Sequence, residues 1–185
     1  MSSSNELKKI RLNTFVNISN DIKSFNCGDV KLNDFFYKDA LGLDEENNLA
    51  TVIYYDEEYK KIAAFYTLSA SSIQMDENDS YEKSKVKETM TEFSAIKIHY
   101  FAVDVEYQNQ GLGKQIMTNL FSDLIDADFE YNIGFKVLYL EALLNAMDFY
   151  SNVGFNYLKP WEEPLNLSSS IMLINYEDLE YFYKF

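Results

Sequence analysis

The feature that most constrains the fold is the run from Phe101 to Gly113, FAVDVEYQNQGLG, which joins a β-prone segment to a helical one. Ile96–Val105 is rich in β-branched and aromatic residues. From Lys114 onwards, apolar residues form two rows on one helix face, namely Ile116, Leu120 and Leu124, and Met117, Phe121 and Ile125. Lys136–Ala142 is nearly continuously apolar, which is typical of a parallel strand buried on both faces. This order of strand, helix and strand predicts a βαβ unit.

Shorter segments extend this unit into a mixed α/β sheet. The pattern predicts a strand over Asn13–Ile18, a helix over Val30–Leu41, a loop at Asp44–Asn48, a hairpin of Thr51–Tyr55 and Ile62–Ser69, a helix or excursion over Asn78–Glu92, a short helix over Asn145–Asn152, and strands at Phe155–Leu158 and Ser170–Asn175. No repeat, low-complexity tract or linker divides the chain. We therefore expect a single domain spanning residues 1–185.

The composition excludes several classes of site. One cysteine, Cys27, and one histidine, His99, exclude a disulfide framework and a zinc site built from several Cys or His ligands. The N-terminal segment Met1–Phe15 is polar, and no apolar run approaches the roughly 18 residues that span a bilayer. We expect a cytoplasmic protein that needs no metal.

The chain is strongly acidic, with 16 basic and 30 acidic residues and Arg11 as its one arginine. This balance argues against broad recognition of a phosphate backbone, which uses clustered Lys and Arg. It suits a cationic substrate or partner somewhat better, and it suits solubility equally well.

The turn between strand and helix has two interpretations. Its glycines, Gly111 and Gly113, let backbone approach a ligand closely, and the first amides of the helix are unpaired donors that bind phosphate well, with Lys114 adding a positive charge. Alternatively, the glycines serve only the geometry of a tight turn. The sequence lacks G-x-x-x-x-G-K-[ST] and a third glycine at dinucleotide spacing, which excludes the nucleoside-triphosphatase and dinucleotide loops.

The turn resembles the Q/R-x-x-G-x-G/A signature of the GNAT superfamily of N-acetyltransferases, with Gln108, Gly111 and Gly113 in its fixed positions. The resemblance implies the GNAT fold, a mixed, mostly antiparallel sheet with a central splayed parallel strand pair flanked by helices. It implies acetyl-CoA as co-substrate, with Ala102 and Val103 at the acyl and pantetheine portion and the Val103 N–H polarising the thioester. The pyrophosphate would be held by Gln108, Asn109, Gln110, Gly111, Leu112, Gly113 and Lys114.

A second segment, Ala146–Phe155, is similar to the end of the GNAT core, with the pattern A-x-x-F-Y-x-x-x-G-F. By this resemblance Tyr150 protonates the departing CoA thiolate, a role that suits a phenol of pKa about 10. Many relatives carry an Asn where this chain has Leu143, so Asn145 is the nearby candidate for that CoA contact. Glu141 and His99 are candidates for the base that deprotonates the amine, water relays would also serve, and none is assigned.

The N-terminal half resembles a narrower group, the toxin-type GNAT proteins of bacterial toxin–antitoxin pairs. The similar segments are Phe25-Asn26-Cys27-Gly28, Leu32-Asn33, Phe35-Phe36, Ala64–Ser69 and Ile133-Gly134. This implies aminoacyl-tRNA as acceptor and an antitoxin as partner. The acidic charge stands against tRNA, while a surface of Lys8, Lys9, Lys23, Lys31 and Lys38 would favour it.

Several alternatives remain open at this stage. The acceptor could be a small polyamine or a protein amine, or the protein could bind acyl-CoA without turnover, although Tyr150 and the glycine turn together argue against the last. A homodimer is compatible with the sequence. Cys27 is expected to be a small buried hydrophobe, Trp161 to pack a loop or edge a substrate site, and the tail Tyr176–Phe185 to dock on the core or form a partner surface.

Overall fold

The computed structural model describes residues 7–15, 18–75, 91–158 and 168–183. The strands are β1 (Lys8–Arg11), β2 (Ala50–Asp56), β3 (Lys61–Gln74), β4 (Glu92–Val103), β5 (Val137–Leu143), β6 (Asn156–Tyr157) and β7 (Ser169–Asn175). The helices are α1 (Ile18–Ser24), α2 (Val30–Lys38), α3 (Ala40–Glu45), α4 (Leu112–Tyr131), α5 (Met147–Asn152) and α6 (Tyr176–Tyr183), with single 3-10 turns at Leu12–Thr14 and Leu144–Ala146.

The seven strands form one mixed sheet in the order β1-β2-β3-β4-β5-β7-β6. Strand β2 pairs antiparallel with β1 and β3, and β7 pairs antiparallel with β5 and β6. Strands β4 and β5 are parallel, with Ala95 opposite Val137 and Ile98 opposite Leu140. Helix α4 connects these two strands, which confirms the predicted βαβ unit within a mixed sheet.

Two compact units can be distinguished. Unit 1 contains the described residues of Met1–Ser69 and His99–Gly113, and unit 2 those of Ala70–Ile98 and Lys114–Phe185. The division falls within β3, β4 and the first turn of α4.

The core of unit 1 is aromatic and forms between its three helices and its strands. Phe36 of α2 stacks on Phe65 of β3 at 4.2 Å, and Phe35 stacks on Tyr100 of β4 at 3.7 Å. Helix α2 starts where it does because the carboxylate of Asp29 accepts hydrogen bonds from two amides of its first turn, at 2.8 and 3.1 Å. Packing and cap together fix α2 against the sheet.

The core of unit 2 includes the apolar face of α4, whose buried residues are Ile116, Met117, Leu120, Phe121 and Ile125. These are five of the six residues expected from the two rows. The C-terminal helix α6 docks within this unit, because Leu179 is fully buried and the Tyr176 hydroxyl donates to Asp128 at 2.5 Å. Desolvation, followed by this carboxylate, raises the pKa of Tyr176 to about 12.

Three predictions in the first 50 residues are wrong at least in part. Of the predicted strand Asn13–Ile18, the described residues lie in and after a 3-10 turn and at the start of α1, and the strand is Lys8–Arg11. Residues 16–17 lie outside the described ranges. The predicted helix Val30–Leu41 is two helices that divide at Asp39, and the predicted loop Asp44–Asn48 begins inside α3. Asp44 belongs to the helix because its buried carboxylate accepts from backbone amides of Asn13 and Thr51.

The other predicted elements are found close to their expected bounds. The hairpin strands, the α4 helix, β5 and β7 differ by a few residues, and the helix predicted at Asn145–Asn152 begins as a 3-10 turn. Trp161 and residues 78–90 of the predicted excursion Asn78–Glu92 lie outside the described residues. No helix in the described ranges is long and apolar enough to cross a membrane.

Candidate active site

Strand β4 ends with a backbone donor that points away from its neighbour β3. The amide of Asp104 donates to the Ala63 carbonyl at 2.9 Å, and the amide of Tyr100 donates to the Thr67 hydroxyl at 3.0 Å, both on β3. Because successive amides along a strand point to opposite edges, the amide of Val103 points to the other edge of β4. Ala102, by contrast, is buried in the unit 1 core.

The turn after β4 is held by one buried carboxylate. Asp104 is 4% exposed, and its two oxygens accept from the amides of Asn26 at 2.8 Å and Glu106 at 3.0 Å. The chain then turns back through two residues with positive φ, Asn109 at 59° and Gly111 at 83°. A glycine is favoured at the second position because other residues rarely adopt this region. The turn, which we call the phosphate loop and define as Val105–Gly111, is therefore tightly determined.

The space next to Gly111 is open. A Cβ atom built on this glycine meets no heavy atom within 4 Å, so packing does not explain the absence of a side chain. Helix α4 begins at the next residue, Leu112, and its first turn contains Gly113 and Lys114. The unpaired amides of such a first turn carry partial positive charge and bind anions. Open backbone and helix terminus together suit a phosphate group.

Gln108 has a role that the sequence did not reveal. Its side-chain amide donates to the carbonyls of Val103 at 2.8 Å and Cys27 at 2.9 Å. The side chain therefore ties the loop to the end of β4 and to the N-terminal segment. Asn109 and Gln110 are exposed, and the Gln110 amide donates back to the Glu106 carbonyl at 2.7 Å.

Asp104 and Asn26 are not among the site residues predicted from the sequence. An Asp directly after an apolar strand often forms an Asx turn, in which its carboxylate accepts a hydrogen bond from the amide two residues later. Asp104 could therefore have been found from the sequence. Its contact with Asn26 could not, because the two residues are 78 positions apart.

Tyr150 lies in unit 2, on the short helix α5. Its ring packs edge-on against Phe149 and Phe155, with centroid separations of 5.1 and 5.7 Å, and the side chain is 8% exposed. The helix ends in a turn at Gly154, whose φ is 104°. This turn directs Phe155 back onto the tyrosine ring, and the Phe155 amide donates to the Tyr150 carbonyl at 3.0 Å. Local sequence thus fixes the ring position.

The Tyr150 hydroxyl is suited to donating a proton. Burial raises the pKa of Tyr150 well above its usual value, because the phenolate would be desolvated. Desolvation is the one cause of this shift among the described residues. The hydroxyl is therefore protonated at neutral pH.

The other predicted site residues of unit 2 are more exposed. Asn145 lies in the 3-10 turn that follows β5, and Leu143 and Leu144 beside it are also exposed. Glu141 is exposed and accepts a hydrogen bond from the Ser169 hydroxyl at 2.5 Å.

His99 lies in unit 1, where its Nε2 is 2.8 Å from the Ser69 hydroxyl. It lines an open cavity of about 570 Å³ between α2, α3 and β4, together with Phe35, Lys38, Asp39, Glu46 and Tyr100. Cys27 is half-buried, and desolvation raises the pKa of its thiol, which argues against a nucleophilic role.

Among the described residues, no group of three or more His, Cys, Asp and Glu side chains could hold a metal ion. Unit 1 instead offers backbone donors, which suit an anionic or carbonyl-containing ligand. Unit 2 offers a phenol, Tyr150, a kind of group that can donate a proton.

Several solved structures with a similar fold are described as bacterial toxins. One described as a bacterial toxin has a TM-score of 0.79 and 16% identity over 95% of this chain and 93% of its own. A Tyr-to-Phe mutant of the toxin AtaT, bound to the C-terminus of the antitoxin AtaR and acetyl-CoA, has a TM-score of 0.73 and 17% identity, over 97% of this chain and 99% of its own. AtaT complexed with acetyl-methionyl-tRNAfMet has a TM-score of 0.76 and 19% identity, over 96% and 99%.

No curated protein sequence matches the chain significantly. The family model described as "Acetyltransferase (GNAT) domain" matches residues 48–157, which include the phosphate loop, α4, β5 and Tyr150. This match covers more than half of the chain, and the chain is therefore an acetyltransferase that belongs to the GNAT family.

Proposed function

We propose that this enzyme transfers the acetyl group of acetyl-CoA to the amino group of an aminoacyl-tRNA. The observation that carries the acetyl-CoA assignment is the open backbone at Gly111 directly before the first turn of α4, within the segment that matches the GNAT domain. The toxin relatives bound to acetyl-CoA and to acetyl-methionyl-tRNAfMet support this choice of donor and acceptor.

The donor would be bound mainly by backbone. In this proposal the amides from Gln108 to Lys114, with Asn109, Gln110, Gly111, Leu112 and Gly113 between them, hold the pyrophosphate. The Gln108 side chain does not contact the pyrophosphate in this proposal, because its amide already donates to the carbonyls of Val103 and Cys27. Ala102 and Val103 lie along the acyl and pantetheine portion, and Asn145 supplies a side-chain contact that Leu143 cannot.

Acetyl transfer in this proposal is direct. The Val103 amide polarises the thioester carbonyl, the deprotonated amine attacks the carbonyl carbon, and the new C–N bond forms as the C–S bond breaks. Tyr150 gives its proton to the departing thiolate and recovers one from solvent. The amine proton leaves to water or to a side chain such as His99 or Glu141, which we leave unassigned.

The toxin relatives favour tRNA as the acceptor, and the charge of this chain disfavours it. The net charge of −14 disfavours tRNA, and two of the lysines that would favour it are paired, Lys8 with Glu57 at 3.3 Å and Lys38 with Asp34 at 2.9 Å. This charge favours a small polyamine or a protein amine as the second candidate. An antitoxin that binds the toxin, as AtaR binds AtaT, is the partner we propose with the first candidate, and this function requires a cytoplasmic location.

The experiment that tests the acceptor is acetyl transfer from labelled acetyl-CoA to three acceptors in parallel: charged Met-tRNA, spermidine and a lysine peptide. We expect acetyl-methionyl-tRNA to form and uncharged tRNA to remain unlabelled. Preferential labelling of spermidine or peptide would replace the tRNA assignment with the second candidate. No label on any acceptor, together with tight acetyl-CoA binding, would favour a non-catalytic acyl-CoA-binding protein.

A further inference from the structure

The segment Phe25–Gly28 contacts both helix α2 and the end of β4. We call it the connector. It contains three successive peptide units. In the first two, one backbone group is held by a side chain of α2 and the other by the segment Asp104–Gln108. In the third, Gln108 holds the carbonyl and the connector's own Asn26 side chain accepts from the amide.

The first two peptide units show the pattern directly. Between Phe25 and Asn26, the carbonyl accepts from the Tyr37 hydroxyl of α2, and the amide donates to the Asp104 carboxylate at 2.8 Å. Between Asn26 and Cys27, the carbonyl accepts from the Val105 amide at 2.8 Å, and the amide donates to the Asn33 side chain of α2 at 3.0 Å.

The third peptide unit reaches the loop itself. The Cys27 carbonyl accepts from the side-chain amide of Gln108 at 2.9 Å. The Gly28 amide donates to the Asn26 side-chain oxygen at 2.9 Å, and the same oxygen accepts from the Asn33 side chain at 2.9 Å. Asn33 therefore holds two of the three peptide units, one directly and one through Asn26.

We propose that Asn33 and Tyr37 of α2 are positioning residues for the phosphate loop. They touch neither the loop nor its ligand. They orient the connector so that its amides and carbonyls match Asp104, Val105 and Gln108, and these residues in turn set the backbone that precedes Gly111. Hydrogen bonds that act in series behave cooperatively, so removing the first weakens those that follow it.

This inference rests on the proposed acetyl-CoA site, and it predicts that two changes on α2 weaken acetyl-CoA binding. Asn33→Ala removes three hydrogen bonds with the connector, those from the Cys27 amide and thiol and the one to the Asn26 side chain. Tyr37→Phe removes one while keeping the ring. Because one net hydrogen bond changes an equilibrium by roughly two- to tenfold, we expect a loss of acetyl-CoA affinity of about three- to tenfold for Asn33→Ala and less for Tyr37→Phe.

The matched control is Asn13→Ala, another asparagine of unit 1 whose side chain donates to a backbone carbonyl, that of Asp44 at 3.4 Å. Acetyl-CoA affinity is measured by calorimetry well below each unfolding temperature. Hydrogen exchange of the Val105, Glu106 and Tyr107 amides, measured without ligand, reports the order of the loop. Both readouts should change in the two α2 variants and stay unchanged in Asn13→Ala.

Unchanged amide exchange in folded Asn33→Ala and Tyr37→Phe would overturn the inference. Equal effects in Asn13→Ala would also overturn it, because they would reveal a general loss of stability. The proposed function fails separately, if the wild-type protein binds no acetyl-CoA. If Asn33→Ala does not fold, Tyr37→Phe still decides the result, since it alters only a hydroxyl.

Discussion

The Tyr150 hydroxyl is the single group on which the proposed chemistry depends most. Tyr150→Phe keeps the ring that packs on Phe149 and Phe155 and removes only the hydroxyl. We therefore expect the free energy of unfolding to change by less than about 1 kcal/mol. Loss of a general acid should lower kcat by roughly 10² to 10⁴ while acetyl-CoA affinity is retained.

Steady-state acetyl transfer and calorimetric binding measure these two quantities. The raised pKa of Tyr150 adds a test of pH, since the protonated form persists to higher pH than in an ordinary tyrosine. The wild-type rate should therefore not fall between neutral pH and about pH 10. Near-normal kcat in Tyr150→Phe would remove this residue from the mechanism.

The buried carboxylate of Asp44 makes Arg11 a second critical residue, in this case for stability. Asp44 is fully buried and accepts from the Arg11 guanidinium at 2.6 Å, as well as from two backbone amides. Arg11→Leu leaves that carboxylate without its cation, and we expect it to lower the free energy of unfolding by about 1–3 kcal/mol. This is less than the usual cost of breaking a buried ion pair, because the Arg11 side chain is partly exposed.

Lys8→Leu is the matched control, because Lys8 lies on the same strand and pairs with Glu57 while both side chains are more than 60% exposed. Exposed pairs contribute about 0–1 kcal/mol. Urea denaturation of the two variants compares them directly. Equal midpoints would mean that the buried pair contributes no more than the exposed one.

At the scale of elements, the phosphate loop can be tested by a substitution at Gly111. Gly111→Glu puts a carboxylate into the open space where we propose the pyrophosphate to lie, and the positive φ adds strain. Steric exclusion and like-charge repulsion should reduce acetyl-CoA affinity by at least about a hundredfold. Gly134→Glu is the matched control, because it adds the same charge at a glycine that also has open space beside it but no positive φ. This variant should bind acetyl-CoA with unchanged affinity. Calorimetry of both folded proteins tests the loop, and unchanged affinity in Gly111→Glu would refute its assignment.

Elements with a long internal pattern could be predicted from the sequence, and those fixed by distant partners could not. Two rows of apolar residues define α4, and a continuous apolar run defines β5. The four-residue strand Lys8–Arg11 has no such pattern, because its pairing with β2 decides its place. The helix pattern of Val30–Leu41 continues across Asp39, which is the C-cap of α2 and the N-cap of α3. The turn at Gly111 could be predicted because its glycines lie directly between the strand and the helix that it joins, while the connector depends on contacts across the chain.

At the scale of the whole molecule, excess negative charge opposes folding. The chain has 30 acidic and 16 basic residues, so its net charge of −14 makes repulsion dominate over long distances. The Debye length falls from about 30 Å at 0.01 M salt to about 8 Å at 0.15 M, which screens this repulsion. Screening also weakens exposed ion pairs such as Lys136–Glu177, but each contributes about 0–1 kcal/mol at most.

We therefore expect the unfolding temperature to rise with sodium chloride between 0.01 and 0.15 M, by on the order of 2–4 °C for each kcal/mol of relieved repulsion. Calorimetric scans at pH 7.5 measure the rise, and potassium chloride should give the same result because screening depends on ionic strength. At pH 5, where more carboxylates are protonated, the rise should be smaller. A fall in unfolding temperature with added salt would show that the ion pairs outweigh the net repulsion, and that the acidic balance serves a partner or substrate at little cost in stability.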